Sequence, residues 1–247
     1  MTRRFSDTAM VLAAGLGQRM RPLTLTKPKP LQLVGGRTML DHALDKLVDA
    51  DIKRAVVNTF YLAEQIETHL QTRTDIEIVI SRESELLDTG GGIANALRHF
   101  GGLPFFALNA DLPWMDGTTP SLLRMKDKWD AAKMDALLLL MKRDKARGFG
   151  ADGDFMMEAS PDGFGRIWRK DMRHIRPYVM ISAQILKPEL FANPPAKIFS
   201  NNRIWNNAEA RNRLYGIEHD GSCYHIGTPE DLRMANELLE SGRGWEI

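Results

Sequence analysis

Residues 10–31 combine a short apolar strand, a glycine-rich turn and a basic segment interrupted by prolines. Gly15 and Gly17 carry no side chain, so backbone N–H groups in this turn can approach a ligand closely. Consecutive N–H groups of this kind form a nest for anionic oxygens. Arg19 and Lys29 follow, and their guanidinium and ammonium groups are the cations that neutralise phosphate in proteins. The residue types and their spacing predict a phosphate-binding turn.

Two common phosphate-binding motifs are excluded at this turn. A Walker loop, G-x-x-x-x-G-K-[ST], is absent there. The dinucleotide fingerprint G-x-G-x-x-G fails because Met20 occupies the position of its third glycine. A strand followed by two glycines also occurs in ordinary surface turns, and that alternative stays open on these residues alone.

A second glycine-rich turn lies at residues 88–93, where three consecutive glycines precede a predicted short helix over residues 93–99. Glycines before a helix leave its first N–H groups uncovered, and such groups attract ligand oxygens. An ordinary helix start would need one glycine rather than three. The pattern therefore predicts a second ligand-binding segment.

Two aspartates stand where strands or turns end. Asp111 follows a predicted strand over residues 105–109, and a carboxylate in that position commonly holds Mg²⁺ beside phosphates. Capping of the next turn is the alternative. Asp154 lies in the string G-D-F at residues 153–155, which by itself is equally typical of a β-turn with a surface carboxylate.

The full string around the first turn is similar to the signature of the sugar-1-phosphate nucleotidyltransferases, L-A-A-G-x-G-x-R-[ML]-x-P-L-T-x-x-x-P-K-P-L. Residues 12–24 and 28–31 match it at every fixed position, and the resemblance extends from about Thr8 to Leu239. It implies a Rossmann-like three-layer α/β/α fold with a mostly parallel central sheet. It also implies catalytic roles for Arg19, Lys29 and Asp111. The nucleotide-binding residues that it implies are Leu12, Ala13, Ala14, Gly15, Gly17, Gln18, Arg19, Lys29, Thr89, Gly90 and Gly91.

Within that family, the strings at residues 88–93, 153–155, 200–205 and 213–216 resemble uridylyltransferases that act on N-acetylmuramic acid 1-phosphate. This resemblance implies transfer of UMP from UTP to that sugar phosphate, with release of pyrophosphate, in cell-wall recycling. It places the second glycine turn against the nucleobase. It also implies sugar contacts from Asn109, Gly153 and Asp154. The alternatives are GTP with mannose 1-phosphate, and dTTP or UTP with glucose 1-phosphate.

The string H-I-G-T at residues 225–228 is similar to the closing D-V-G-T of the family, except that His225 replaces the aspartate that is the second metal ligand. Imidazole is a poor ligand for Mg²⁺. His225 could bind a softer metal such as Mn²⁺, contact the metal through water, leave the ligand position to Asp220, or have no metal role. The resemblance implies Mg²⁺ on Asp111, with Mn²⁺ as an alternative. The histidine also leaves open a regulatory relative that binds nucleotide sugars without turnover.

Strand-like and helix-like patterns alternate along the chain, which predicts a parallel sheet covered on both faces. Ligands bind such sheets beyond the carboxyl ends of the strands. The first turn, residues 88–93 and Asp111 each follow a predicted strand, so we expect them to share one edge of the sheet. Residues 143–170 lose this pattern and predict a β-hairpin excursion over the site.

The 247 residues predict one domain, with a nucleotide-binding half at residues 8–111 and a sugar-phosphate-binding half at residues 112–247. A net charge of +1 provides no overall field to recruit nucleic acid or an anionic membrane. The single cysteine, Cys223, suits a reducing cytoplasm. We therefore expect a cytoplasmic enzyme whose partners are UTP and a sugar 1-phosphate. The oligomeric state does not follow from the sequence.

Overall fold

The computed structural model describes residues 5–150, 152–158, 160–169, 176–194 and 196–245. Its strands are β1 (Thr8–Leu12), β2 (Leu33–Val34), β3 (Arg37–Thr38), β4 (Arg54–Thr59), β5 (Glu77–Arg82), β6 (Phe105–Asn109), β7 (Trp114–Met115), β8 (Ala136–Lys142), β9 (Met156–Met157), β10 (Phe164–Trp168), β11 (Tyr178–Leu186), β12 (Leu214–Glu218) and β13 (Ser222–Cys223). Its α-helices are α1 (Met39–Asp49), α2 (Ala63–Leu70), α3 (Asp88–Ala96), α4 (Ser121–Lys128), α5 (Asn201–Ala210) and α6 (Pro229–Glu240).

The central sheet has nine strands in the order β5-β4-β1-β6-β11-β8-β12-β10-β9. The β5-β4-β1-β6 half is entirely parallel. β11 and β10 run against the other seven strands, so the prediction of a mostly parallel sheet is confirmed. The predicted halves, residues 8–111 and 112–247, share this sheet through the pairing of β6 with β11, and that division remains a prediction.

Alternate side chains of the strands enter two cores, one on each face of the sheet. Val11 of β1 packs in a cluster with Leu44 of α1 and Ile66 of α2, whereas Met10 packs in a second cluster with Ile93 of α3. α4 joins the first cluster and α5 the second. Each fully buried side chain of this size contributes about 1.5–3 kcal/mol relative to an exposed one. The result is the predicted three-layer α/β/α arrangement.

A third cluster ties the C-terminal helix to the first glycine turn. Thr228 caps α6 through a reciprocal pair of hydrogen bonds with Asp231, and Pro229 occupies the first helical position. The apolar face of α6 packs in a cluster that includes Met20, which follows the turn. The string T-P-E-D at residues 228–231 is typical of a helix start, so the sequence predicts this end of α6. None of the helices formed by the described residues is long and apolar enough to cross a membrane.

Two predictions about local structure are wrong. The helix predicted over residues 93–99 begins instead at Asp88, so the three glycines of the second turn lie inside α3 and not before it. The predicted hairpin, β9 with β10, forms the outer edge of the central sheet beyond β12 and does not cover the site. Strand order is set by pairing between distant segments, which local residue patterns do not encode.

Candidate active site

A cleft of about 760 Å³ lies beyond the carboxyl ends of β1, β4 and β6. It brings the first turn, the start of α3 and Asp111 together at one edge of the sheet, as the strand-end argument predicts. The residues that line it are Leu12, Ala13, Ala14, Gly15, Leu16, Gly17, Gln18, Arg19, Met20, Lys29, Pro30, Asn58, Glu83, Leu86, Asp88, Thr89, Asn109, Asp111, Ile198 and Gly227.

The first glycine turn presents a row of uncovered backbone donors. The N–H groups of residues 14–17 make no hydrogen bond to any residue that the structure describes. Gly17 adopts a left-handed conformation, with φ of 59°, and a Cβ there would lie 3.0 Å from the Thr24 side chain and 3.1 Å from Cβ of Lys29. Only glycine fits that position without strain. The turn therefore forms an anion nest of backbone donors.

Arg19 stands exposed beside this nest and packs over Gly227. A Cβ on Gly227 would come within 2.9 Å of the Arg19 guanidinium, so the glycine of the closing H-I-G-T string makes room for the arginine. Within the described residues, Arg19 has no hydrogen bond or ion pair. Its five N–H donors remain available for a bidentate contact with phosphate oxygens.

Lys29 and Asp111 form an ion pair within the cleft, and Cβ of Lys29 lies next to Gly17 of the turn. Lys29 Nζ lies 2.6 Å from Asp111 Oδ2, with the lysine side chain 7% exposed and the aspartate side chain 42% exposed. Burial disfavours the charged carboxylate, but the charge and hydrogen bond of Lys29 outweigh that effect and lower the pKa of Asp111 below its ordinary value. The aspartate is therefore ionised at neutral pH.

His225 is held with one ring nitrogen toward the protein backbone. Its Nδ1 lies 3.0 Å from the carbonyl oxygen of Gly148, and its ring lies against Phe149. A carbonyl only accepts, so Nδ1 carries the proton and Nε2 of the neutral ring keeps its lone pair. This tautomer is the one that histidine ligands use when their other nitrogen is anchored to a carbonyl. A Cβ on Gly227 would lie 3.4 Å from Cε1 of His225 and 2.9 Å from the Arg19 guanidinium, so the imidazole lies beside the cleft-lining Gly227.

The residues present fit a hard divalent cation held partly by substrate. The described residues contain no group of three or more histidine, cysteine, aspartate or glutamate side chains arranged around a metal position. Mg²⁺ is commonly bound by one or two carboxylates together with phosphates and waters, and the partly exposed Asp111 carboxylate meets that requirement. Asp220 pairs with Arg124 at 2.6 Å. Neither Asp220 nor His225 lines the cleft, so the identity of a second metal ligand remains a prediction.

The start of α3 contributes Asp88 and Thr89 to the cleft, whereas its three glycines do not line it. The N–H of Gly91 donates to the carbonyl oxygen of Phe199. A Cβ on Gly90 would meet the Phe199 ring at 2.5 Å, and one on Gly91 would meet the Lys197 carbonyl oxygen at 2.5 Å. These glycines allow close packing against the segment before α5. The N–H of Gly91 is thus already used, and neither Gly90 nor Gly91 lines the cleft, so their nucleotide contact remains a prediction.

The residues predicted to contact the sugar lie along the same edge of the sheet. Asn109 lines the cleft at the end of β6. Asp154 lies beside the start of β11, where its Oδ2 accepts from the N–H of Met180 at 2.9 Å, and it does not line the cleft. Gly153 is packed so closely that a Cβ would lie 2.1 Å from the Arg176 carbonyl oxygen. Its glycine is therefore required by backbone packing.

Four residues of the cleft lie outside every motif that the sequence analysis singles out, namely Asn58, Glu83, Leu86 and Ile198. Asn58 and Glu83 lie where the parallel strands β4 and β5 end. The same strand-end argument that selected Asp111 would have found them. Leu86 and the half-exposed Ile198 have no comparable sequence signal, because they come from loops 112 residues apart.

The fold and the cleft define an α/β protein that binds anionic ligands at the carboxyl edge of its sheet. The family model described as nucleotidyl transferase matches residues 8–152. The chain belongs to this nucleotidyl transferase family, as the signature at residues 12–31 indicates.

Two curated relatives resemble the chain over nearly their full length. One, from Caulobacter vibrioides, is named N-acetylmuramate alpha-1-phosphate uridylyltransferase and is 40% identical over 236 residues, which are 94% of this chain and 96% of the relative. A protein of the same name from Neisseria meningitidis is 43% identical over 237 residues, which are 93% and 97% of the two chains. The resemblance stated from short motifs is thus confirmed across the chain.

A solved structure shows the same fold at low sequence identity. The crystal structure of UDP-glucose pyrophosphorylase complexed with UDP-glucose has a TM-score of 0.79, with 97% of this chain and 100% of that chain covered at 17% identity. The likeness confirms the α/β architecture.

Proposed function

We propose that the protein transfers UMP from UTP to N-acetylmuramic acid 1-phosphate, giving UDP-N-acetylmuramic acid and pyrophosphate. The names and full-length similarity of the two curated relatives support this choice of substrates. The observation that carries the proposal is the row of N–H groups at residues 14–17, which find no hydrogen-bond partner among the described residues, beside the exposed Arg19. This arrangement suits the tail of a nucleoside triphosphate.

In the proposed reaction, an oxygen of the sugar phosphate attacks the α-phosphorus of UTP, and the bond to the pyrophosphate oxygen breaks in line. The protein needs no covalent step, so positioning and charge neutralisation supply the catalysis. The backbone donors of residues 14–17 and Arg19 hold the β- and γ-phosphates, which become the leaving group. Lys29 lies on the α-phosphate, where negative charge develops during the displacement.

Asp111 is the proposed ligand of a divalent cation, Mg²⁺ or Mn²⁺, and His225 Nε2 is the second candidate ligand. When bound, such a cation neutralises phosphate charge between the two substrates. The hydrogen-bonded ion pair with Lys29 lowers the pKa of Asp111 and holds the carboxylate in place before substrate binds. Each group can then exchange its partner for phosphate or cation with little reorganisation of the side chains.

The uracil is proposed to lie toward the start of α3, near Thr89, and the sugar toward Asn109. Asp154 is proposed to contact the sugar, from its position beside β11. The product would serve the recycling of cell-wall sugars in the cytoplasm, which the single buried thiol of Cys223 fits.

The test is a panel of UTP, dTTP, GTP, CTP and ATP against N-acetylmuramic acid, glucose and mannose 1-phosphates, with Mg²⁺ or Mn²⁺. Pyrophosphate release measures turnover. We expect kcat/KM to be highest for UTP with N-acetylmuramic acid 1-phosphate. A higher value for another pair would replace the proposed substrates, and nucleotide-sugar binding without release under either metal would indicate the regulatory alternative.

A further inference from the structure

We propose that Asn58 and Tyr61, which lie at the end of β4 and just beyond it, are positioning residues that hold the two ends of the phosphate-binding turn. The inference rests on the proposed function, because it assigns the turn to the triphosphate of UTP. The resemblance to known nucleotidyltransferases assigned no role to either residue. Their hydrogen bonds to the turn and to its following segment carry the argument.

Asn58 holds the beginning of the turn. Its side chain is 3% exposed, and its Oδ1 accepts from the N–H of Ala13 at 2.8 Å. Its Nδ2 donates to Glu83 Oε1 at 2.7 Å, and Glu83 Oε2 accepts from the N–H of Leu87 at 2.9 Å. Both the oxygen and the nitrogen of the buried Asn58 amide thus form hydrogen bonds. It connects the phosphate-binding turn to the residue just before α3.

The hydrogen-bonded pair of Asn58 and Glu83 packs directly against α3 at Gly92. A Cβ on Gly92 would lie 2.7 Å from Asn58 Nδ2 and 2.9 Å from Glu83 Oε1. The third glycine of the D-T-G-G-G-I string therefore makes space for the pair against α3. This contact gives the glycine a role inside the helix, where glycine otherwise costs about 1 kcal/mol relative to alanine.

Tyr61 holds the other end of the turn through Thr24. The Tyr61 hydroxyl donates to the carbonyl oxygen of Thr24 at 2.7 Å. The Thr24 hydroxyl in turn donates to the carbonyl oxygen of Gly17 at 2.9 Å, and the threonine is fully buried. Gly17 is the left-handed residue that closes the turn. The two hydrogen bonds thus run in series from the β4–α2 connection to Gly17.

Fixing both ends matters because the N–H groups of residues 14–17 have no hydrogen-bond partner among the described residues. Hydrogen bonds of these groups therefore do not hold the turn in place in the free protein. Catalysis by charge stabilisation depends on donors that are already in place when substrate binds. Asn58 and Tyr61 therefore act on UTP only through the backbone that they position.

The first experiment compares Tyr61→Phe, Thr24→Val and the double variant. We expect each single change to raise the KM for UTP about threefold to tenfold, the effect of one lost hydrogen bond. Because the bonds act in series, the double variant should resemble the more affected single variant rather than multiply the two effects. Tyr215→Phe is the control, since Tyr215 lies on β12, which three strands separate from β1, and does not line the cleft.

The second experiment exchanges the polarity of the buried pair. Asn58→Asp places a carboxylate against Glu83, and we expect at least a tenfold rise in the dissociation constant of UTP. Adding Glu83→Gln restores a donor toward position 58 and keeps an acceptor for the Leu87 N–H. The double variant therefore preserves all three hydrogen bonds, and we expect it to bind UTP more tightly than Asn58→Asp does.

Calorimetric titration with UTP, urea unfolding and steady-state kinetics are measured on the same full-length variants. Lower urea midpoints with an unchanged dissociation constant and KM for UTP would overturn the positioning roles, as would multiplying effects or absence of rescue. The proposed function is tested separately by turnover of the wild-type protein. If the wild type fails to transfer UMP, the dissociation constants of UTP still decide whether Asn58 and Tyr61 position the turn.

Discussion

Lys29 and Asp111 are 82 positions apart in the sequence, and they form an ion pair within the cleft, with 2.6 Å between Lys29 Nζ and Asp111 Oδ2. The pair joins the cation proposed for the α-phosphate to the carboxylate proposed for the metal. Their opposite charges stabilise each other in the free protein, and both stay close to where the reacting groups would lie. The substitutions below separate the two roles.

Lys29→Ala removes the cation proposed to lie where charge builds during transfer. We expect kcat to fall about 10²–10³-fold, as on loss of a single charge-stabilising donor, with a small change in the urea midpoint, because water can reach the partly exposed Asp111. Lys27→Ala is the matched control, since Lys27 lies two positions away and does not line the cleft. Equal activity of the two variants would contradict the role of Lys29.

Asp111→Asn removes the proposed anionic metal ligand while keeping the size of the side chain. We expect activity to be lost, or the Mg²⁺ concentration for half-maximal activity to rise at least tenfold. Loss of a group that only hydrogen-bonds to a metal ligand already costs about 10–100-fold in metal affinity, and Asp111 is proposed to bind the metal directly. Asp220→Asn is the control and should leave the Mg²⁺ titration unchanged. An unchanged titration for Asp111→Asn would show that the ligand assignment is wrong.

His225→Asp tests whether this side chain faces the metal. A carboxylate oxygen suits Mg²⁺ better than an imidazole nitrogen does. We therefore expect the ratio of kcat/KM with Mg²⁺ to kcat/KM with Mn²⁺ to increase in the variant. The ratio would stay at its wild-type value if His225 only packs against Phe149.

His219 should make the fold sensitive to acid. The ring is buried, with Nδ1 2.9 Å from the Ser121 hydroxyl and Nε2 3.0 Å from the Met115 carbonyl oxygen, and burial lowers the pKa of His219. The unfolded chain binds the proton more readily, so the free energy of unfolding should decrease as pH falls below about 6.5. Urea unfolding between pH 7.5 and 5.5 measures this slope. His219→Gln should reduce it, and an identical slope in the variant would exclude His219 as its source.

Gly91→Ala tests the packing of the glycines inside α3. The added methyl group would meet the Lys197 carbonyl oxygen, and such overpacking costs about 1–3 kcal/mol. Gly150→Ala is the control, because no atom lies within 4 Å of a Cβ there. Urea midpoints compare the two variants. Equal midpoints would mean that the close approach of α3 to residues 197–199 does not require glycine.

The sequence predicts the parts of the site that are built locally. The first turn follows directly from a strand, two glycines and two cations, and the start of α6 follows from Thr228, Pro229 and Asp231. The predicted start of α3 is wrong because its glycines are required by close packing against Lys197 and Phe199, which lie more than a hundred positions away in the sequence. The sequence does not predict the proposed positioning roles of Asn58 and Tyr61 for a similar reason, since neither residue is close to the turn in the sequence.

A crystal structure with a non-hydrolysable UTP analogue would test the central claim most directly. We expect the β- and γ-phosphate oxygens to lie within about 2.7–3.2 Å of the N–H nitrogens of residues 14–17, with Arg19 on the same phosphates and Lys29 on the α-phosphate. A triphosphate bound anywhere other than over this turn would contradict the account.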